Sequence, residues 1–187
     1  VFFRIGGGRF PDGEDGTLSP RTVSVDTALE INSDNVIGDN FWVWRADHTF
    51  GVGWQGEEIS NYAKHGVVVN GDDVRCYGLM VEHFGEYQTL WNGENGFVCF
   101  YQSETPYDAT DQSAWMNGVS RGFASYKVAD GVQTHTAYGI GVYLSRRPSG
   151  LRKTKGYDNS LAHRTTWLRS DLTYMLLFAK VKFLTKY

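Results

Sequence analysis

The 187 residues predict an all-β chain folded as a right-handed parallel β-helix, a single-stranded solenoid, and three observations carry that expectation. Glycine is abundant at 22 residues, aromatics reach 15% and proline stops at 4, which is the composition of many short strands joined by tight turns. Turn pairs such as Gly38-Asp39, Asn70-Gly71 and Asn92-Gly93 separate apolar runs. An apolar run ending in a polar cluster also recurs at 42–48, 77–83 and 100–107, with Glu82 and Glu104 standing 22 residues apart. A period of roughly 20–25 residues with a strand in each unit belongs to stacked coils that bury their inner faces on one another. An antiparallel sandwich, which also has short strands at close spacing, is the competing architecture.

Along the chain, residues 1–24 read as irregular backbone, because Gly6-Gly7-Gly8, Pro11-Asp12-Gly13 and Asp15-Gly16 crowd the segment. Strands are expected at 28–31, 35–37, 40–45, 67–69, 74–84, 97–102, 123–128 and 132–144. The β-helix therefore occupies 1–147, and 148–187 form a basic tail. Its apolar-basic run at 174–184 suits a short helix or an edge strand, and its simplest role is a cap over the open end of the solenoid. A contact with a partner or membrane surface is the functional alternative.

Charge separates the two parts. Residues 1–145 hold 8 Lys and Arg against 19 Asp and Glu, whereas 146–187 hold 10 against 2. An acidic, aromatic-rich body lacks the basic footprint that phosphate backbones require, so nucleic acid is excluded and neutral sugar fits better. No apolar run is long enough to span a membrane. The chain opens Val1-Phe2-Phe3 without initiator methionine, as a processed chain or a fragment does. Two cysteines, Cys76 and Cys99, exclude a disulfide-dense scaffold and a four-cysteine zinc module. Their separation of 23 is close to one coil, which brings them within disulfide range, but it disagrees by one with the 22 between the glutamates. A bulge would absorb the difference, and spacing leaves open which pair is in register.

Chemistry-bearing side chains concentrate in 77–108, with Glu82-His83, Gln88, Trp91, Tyr101-Gln102-Ser103-Glu104 and Tyr107-Asp108. One coil apart, Glu82 and Glu104 would lie at the spacing of adjacent strands, about 5 Å. Two carboxylates that close cannot both ionise freely, so one keeps a proton and serves as a general acid, as glycoside hydrolysis needs. Trp54, Trp91, Tyr101 and Tyr107 offer flat faces for pyranose rings. Side-chain ladders on a solenoid surface would look the same by spacing. Asp47-His48 could be an acid–base or metal pair, yet neighbours on a strand point to opposite faces, so one of them is structural. Asp72-Asp73 belongs to a turn, and His135 to a packed or rim position.

The segments Asn40-Phe41-Trp42-Val43-Trp44-Arg45-Ala46-Asp47-His48, Val81-Glu82-His83 with Tyr87-Gln88, and Gln102-Ser103-Glu104-Thr105-Pro106-Tyr107 resemble, in order and spacing, motifs of the family 55 glycoside hydrolases, exo-β-1,3-glucanases with a pectin-lyase-like fold. The resemblance covers about 35–110 well. It implies a secreted inverting enzyme that releases glucose from β-1,3-glucan without metal or cofactor, built from two β-helix domains of which this chain is part of the second. It puts the general acid on Glu104 and a pKa-tuning or substrate-contact role on Glu82. Trp91, Gln102, Tyr101, Tyr107, His83, Asp47, Trp54 and Gln88 are the expected substrate contacts. Ser103 and Asp108 depart from the family's threonine and second aromatic, and a first β-helix domain or partner chain is expected to complete the site. A non-catalytic glucan-binding β-helix is the alternative. A polysaccharide lyase, which needs a basic residue at the site, fits the acidic body less well.

Overall fold

The computed structural model describes residues 1–12, 17–48, 51–143 and 179–184, all of them strand or loop. Each coil pairs a strand of one parallel sheet with a strand of another. The smaller sheet contains β4 (Val25–Ile31), β6 (Ala63–Val69), β8 (Thr89–Trp91) and β10 (Tyr126–Val128), and the larger contains β5 (Ile37–Arg45), β7 (Arg75–Glu82), β9 (Gly96–Glu104) and β11 (Thr134–Tyr143). This is the parallel β-helix that composition and repeat predict.

The corners repeat with the coils. Between the sheets Asn70 donates to Asn32 at 2.6 Å and Asn92 to Asn70 at 2.7 Å, so the amides form a ladder up the solenoid. Asn35, Asp73 and Asn95 turn the chain there with φ of 58°, 57° and 53°, a conformation that Asn and Asp adopt more readily than most residues. A Cβ on Gly93 would stand 1.9 Å from the Gly71 carbonyl oxygen, so the stacked turns need glycine. The larger sheet bends at a second column, Asn40, Gly78, Phe100 and Gly139, with φ of 52°, 70°, 64° and 63°. The strand pairing skips each of these residues. Beyond the bend Val43, Leu79, Val81, Tyr101 and Ile140 point inward and fill the core with Val67, Val69, Trp91 and Tyr126.

Several expectations change. The repeat is not constant: Glu82 pairs with Trp44 at a separation of 38 residues and with Glu104 at 22, and Glu104 pairs with Tyr143 at 39. The chain between β5 and β6 and that between β9 and β10 lengthen two coils, while 83–88 closes one tightly. The opening segment is not irregular, because β1 (Phe2–Ile5) adds in parallel to β5, and β2 (Gly8–Asp12) pairs antiparallel with β3 (Thr17–Arg21). Sheet pairing overrides the glycine signal here, since Phe3 and Ile5 pack on the core. Position 35 is a turn rather than strand, residues 123–125 are not strand, and β8, only three residues long, carried no sequence signal. The glutamates hold the register without a bulge, so Cys76 faces inward and Cys99 outward, and both are free. Residues 179–184 form β12 (Ala179–Leu184), antiparallel to β11 at the sheet edge, while the rest of the 148–187 tail lies outside the described residues.

Candidate functional site

The C-terminal ends of β5, β7 and β9 meet the two long loops. Alternation sends Trp42 and Trp44, then Met80 and Glu82, then Gln102 and Glu104 to the outer face in register. On that face Phe2, Trp42 and Trp44 form an aromatic strip, with ring centroids of Phe2 and Trp42 4.8 Å apart and those of the two tryptophans 6.3 Å apart. Trp42 is 42% exposed and its indole N–H donates to Glu82 Oε2 at 3.1 Å.

Glu104 sits at the centre. Its Oε2 accepts from the Tyr107 hydroxyl and lies 3.2 Å from His83 Nε2, while Gln102 donates to Oε1 at 3.4 Å. His83 follows β7 in a left-handed conformation, φ 68°, and its amide donates to the Glu104 carbonyl at 3.0 Å. Its Nδ1 lies 3.0 Å from the Trp44 indole nitrogen and 3.4 Å from Asp47 Oδ1. Asp47 in turn contacts the exposed His48 at 2.6 Å.

Arg45 builds the floor. Although strand alternation makes its position an inward one, its guanidinium is fully buried and reaches all three loops: Nε donates to the His83 carbonyl at 2.6 Å, Nη1 to Asn61 at 3.2 Å, and Nη2 pairs with Asp108. Asn61 donates to the carbonyls of Ala46 and Ile5 and so pins the long loop after β5.

The two glutamates titrate in opposite directions. Burial raises the pKa of Glu82, and the Glu104 charge adds to that against the Trp42 hydrogen bond. His83 holds Glu104 below the usual carboxylate range, and Tyr107 assists, against the effect of burial. The two shifts favour the protonated form on Glu82 and the ionised form on Glu104, opposite in direction to a proton resting on Glu104 in the free chain. Burial acts to lower the His83 pKa, but Asp47 and Glu104 outweigh it and raise it to about 9. The Trp44 contact opposes this, because a nitrogen that accepts the indole N–H carries no proton. The two arrangements exclude one another at Nδ1.

Of the predicted site residues, the structure brings together Glu82, Glu104, His83, Asp47, Gln102 and Tyr107. Four others lie elsewhere. Trp91 is fully buried, edge-on to His135, and Tyr101 points inward, donating to the Ser125 carbonyl at 3.0 Å. Trp54 is buried against Tyr62 with the Arg45 guanidinium 5.4 Å from its ring. Gln88 staples its own turn through the Phe84 amide and carbonyl. None of these four presents a face to a ligand; each takes an inward or turn position in its coil. Sequence reasoning missed Trp42, Trp44 and Arg45 as site residues, although the Trp-Val-Trp-Arg alternation signals two outward rings and an inward charge. Among the described residues no three His, Cys, Asp or Glu are grouped to hold a metal, and no helix is long and apolar enough to cross a membrane.

The family model described as the LAM55 pectate lyase-like domain matches residues 1–104. An exo-beta-1,3-glucanase of Streptomyces sp. (strain SirexAA-E / ActE) is 47% identical over 143 residues, which is 76% of this chain and 21% of that protein. The solved structure of sacteLam55A from Streptomyces sp. SirexAA-E superposes with a TM-score of 0.66 at 44% identity, covering 78% of this chain and 24% of that one. A variant of the same protein, refined in complex with glucose, matches with a TM-score of 0.66 at 45% identity over 77% of this chain and 23% of that one. The chain thus spans about a fifth of the length of the curated relative it matches.

Proposed function

Since this chain belongs to the LAM55 pectate lyase-like domain family, we propose that it forms the acid-bearing part of the active site of a secreted β-1,3-glucan hydrolase. The observation that carries the reading is the in-register pair Glu82 and Glu104 beside the outward rings of Trp42 and Trp44. Flat apolar faces next to hydrogen-bonding groups suit a neutral pyranose.

In this reading Glu104 delivers the proton to the leaving glycosidic oxygen. It is the more open of the two carboxyls: its side chain is 28% exposed, whereas Glu82 is buried and bonded to Trp42. Tyr107 and His83 hold Oε2 and Gln102 holds Oε1, which fixes the carboxyl on the outer face where the substrate lies. Reach to the reacting atom outranks the resting pKa in choosing a proton donor. Glu82 orients the aromatic strip through Trp42 and contacts the sugar. Water attacks from the opposite face, giving inversion and release of glucose from the chain end, with the water-positioning group supplied by a second β-helix domain or partner chain. Carboxyl groups and water suffice for this chemistry, so the reading assigns no cofactor.

Incubation with laminarin, followed by the anomeric configuration of the first product, tests the proposal. Glucose formed with inverted configuration supports it. A glucan-binding module without catalysis is favoured by one observation, the lowered pKa of Glu104, and binding without any glucose release would select it.

A further inference from the structure

We propose that His83 is the proton store of this site, switching its Nδ1 between Asp47 when protonated and the Trp44 indole when not, and reloading Glu104 through Nε2. The consequence for catalysis rests on the hydrolase reading above; the switch itself does not.

The geometry is a buried line of three groups. The Asp47 and His83 side chains are 1% and 5% exposed, and His83 lies 3.4 Å from Asp47 on one side and 3.2 Å from Glu104 on the other. Among the described residues the charged and titratable neighbours of the ring are these. Asp47 comes from the loop after β5, with His48 behind it; Glu104 ends β9; Tyr107 packs its ring with a centroid separation of 4.5 Å; and Glu82 precedes His83 on β7. Arg45 meets His83 at its carbonyl, so among the described residues the ring nitrogens meet carboxylates on both sides and no Lys or Arg. Those carboxylates keep it protonated up to about pH 9. Asp47 stays ionised in return: burial raises its pKa, but His83 and His48 lower it to about 2.

Above that pH, Nδ1 is bare and accepts the Trp44 N–H at 3.0 Å; below it, Nδ1 donates to Asp47 and the indole must let go. During hydrolysis the Nε2–H bond of the imidazolium breaks as a proton passes to the Glu104 carboxylate. Glu104 gives that proton to the leaving oxygen, which takes the electron pair of the broken C–O bond. Water adds at the sugar carbon and releases its proton to solvent, from which His83 is recharged. His83 and Glu104 thus titrate as one unit, and the proton lost at the higher pH is the one catalysis uses.

The Trp44 indole N–H provides a test without substrate. Its NMR shift, assigned with Trp44→Phe, should move with a midpoint near pH 9, move at lower pH in Asp47→Asn, and not titrate in His83→Gln. With laminarin, the alkaline limb of kcat/KM should fall at the same pH in the parent and drop into the carboxylate range in His83→Gln. An indole signal that ignores pH overturns the proposal, as does a kcat/KM limb unmoved by His83→Gln. A titrating indole in a protein that releases no glucose keeps the switch and rejects the hydrolase reading.

Discussion

Glu82 and Glu104 are register partners on adjacent strands, yet the fold sets them against each other: burial favours the protonated form of Glu82, and His83 favours the ionised form of Glu104. Two like groups about a strand spacing apart acquire different roles from what surrounds them. Glu82→Gln preserves the size of the side chain and an acceptor for Trp42, so glucose release should fall by less than about tenfold, a smaller loss than general-acid removal gives. Steady-state kinetics on laminarin compares the two variants. A larger loss for Glu82→Gln than for Glu104→Gln would exchange their roles.

The aromatic strip gives a binding prediction. Trp42→Ala and Trp44→Ala remove rings from the outer face, and each should weaken laminari-oligosaccharide binding by roughly fivefold, as loss of an aromatic contact worth about 1 kcal/mol implies. Titration calorimetry measures it. Trp91, sealed in the core, should behave differently: Trp91→Phe should lower stability without changing the dissociation constant. Unchanged affinity in both strip variants would remove the strip from the site.

Two histidines shape the pH dependence of stability. Burial lowers the pKa of His135 to about 4, so between pH 6.5 and 4 the unfolded chain binds the extra proton and stability falls as pH falls. His83 has a folded pKa raised to about 9, so its contribution is fully present below pH 6.5 and is lost as pH rises through 9. Each arm amounts to about 3 kcal/mol by linkage. Urea midpoints across this range should peak near pH 6.5, and His83→Gln should flatten the alkaline arm. Stability still climbing between pH 7 and 9 would contradict the assignment.

The cysteines should differ sharply in native protein. Cys99 is exposed, while Cys76 is 2% exposed with its thiol pushed up to about 11 by burial. A thiol reagent should label one cysteine rapidly and the second only on unfolding. Equal rates would put the register in error.

Most of the fold was legible because solenoids repeat their turns: the Asn-Gly corners and the 22-residue step marked the stack. What stayed hidden depends on contacts across coils. Phe2 to Ile5 read as loop until β5 offered an edge; Tyr101 reads as a sugar platform because a sequence does not say which way a ring faces when the strand bends at Phe100, and Trp91 because the three residues of β8 are too few to show an alternation. The Trp42, Val43, Trp44, Arg45 alternation did hold the direction of each side chain. Arg45 was overlooked as the floor because a buried charge makes sense only once Asp108, Asn61 and the His83 carbonyl surround it.

The central claim is that Glu104 delivers the proton. Glu104→Gln keeps size and hydrogen bonding but has no proton to give, so the rate of glucose release from laminarin should fall by a factor on the order of 10² to 10⁴ while oligosaccharide affinity stays within about threefold. The rate on laminarin, measured beside the dissociation constant for the same variant, is the decisive experiment. Parent-like turnover in Glu104→Gln would contradict the account.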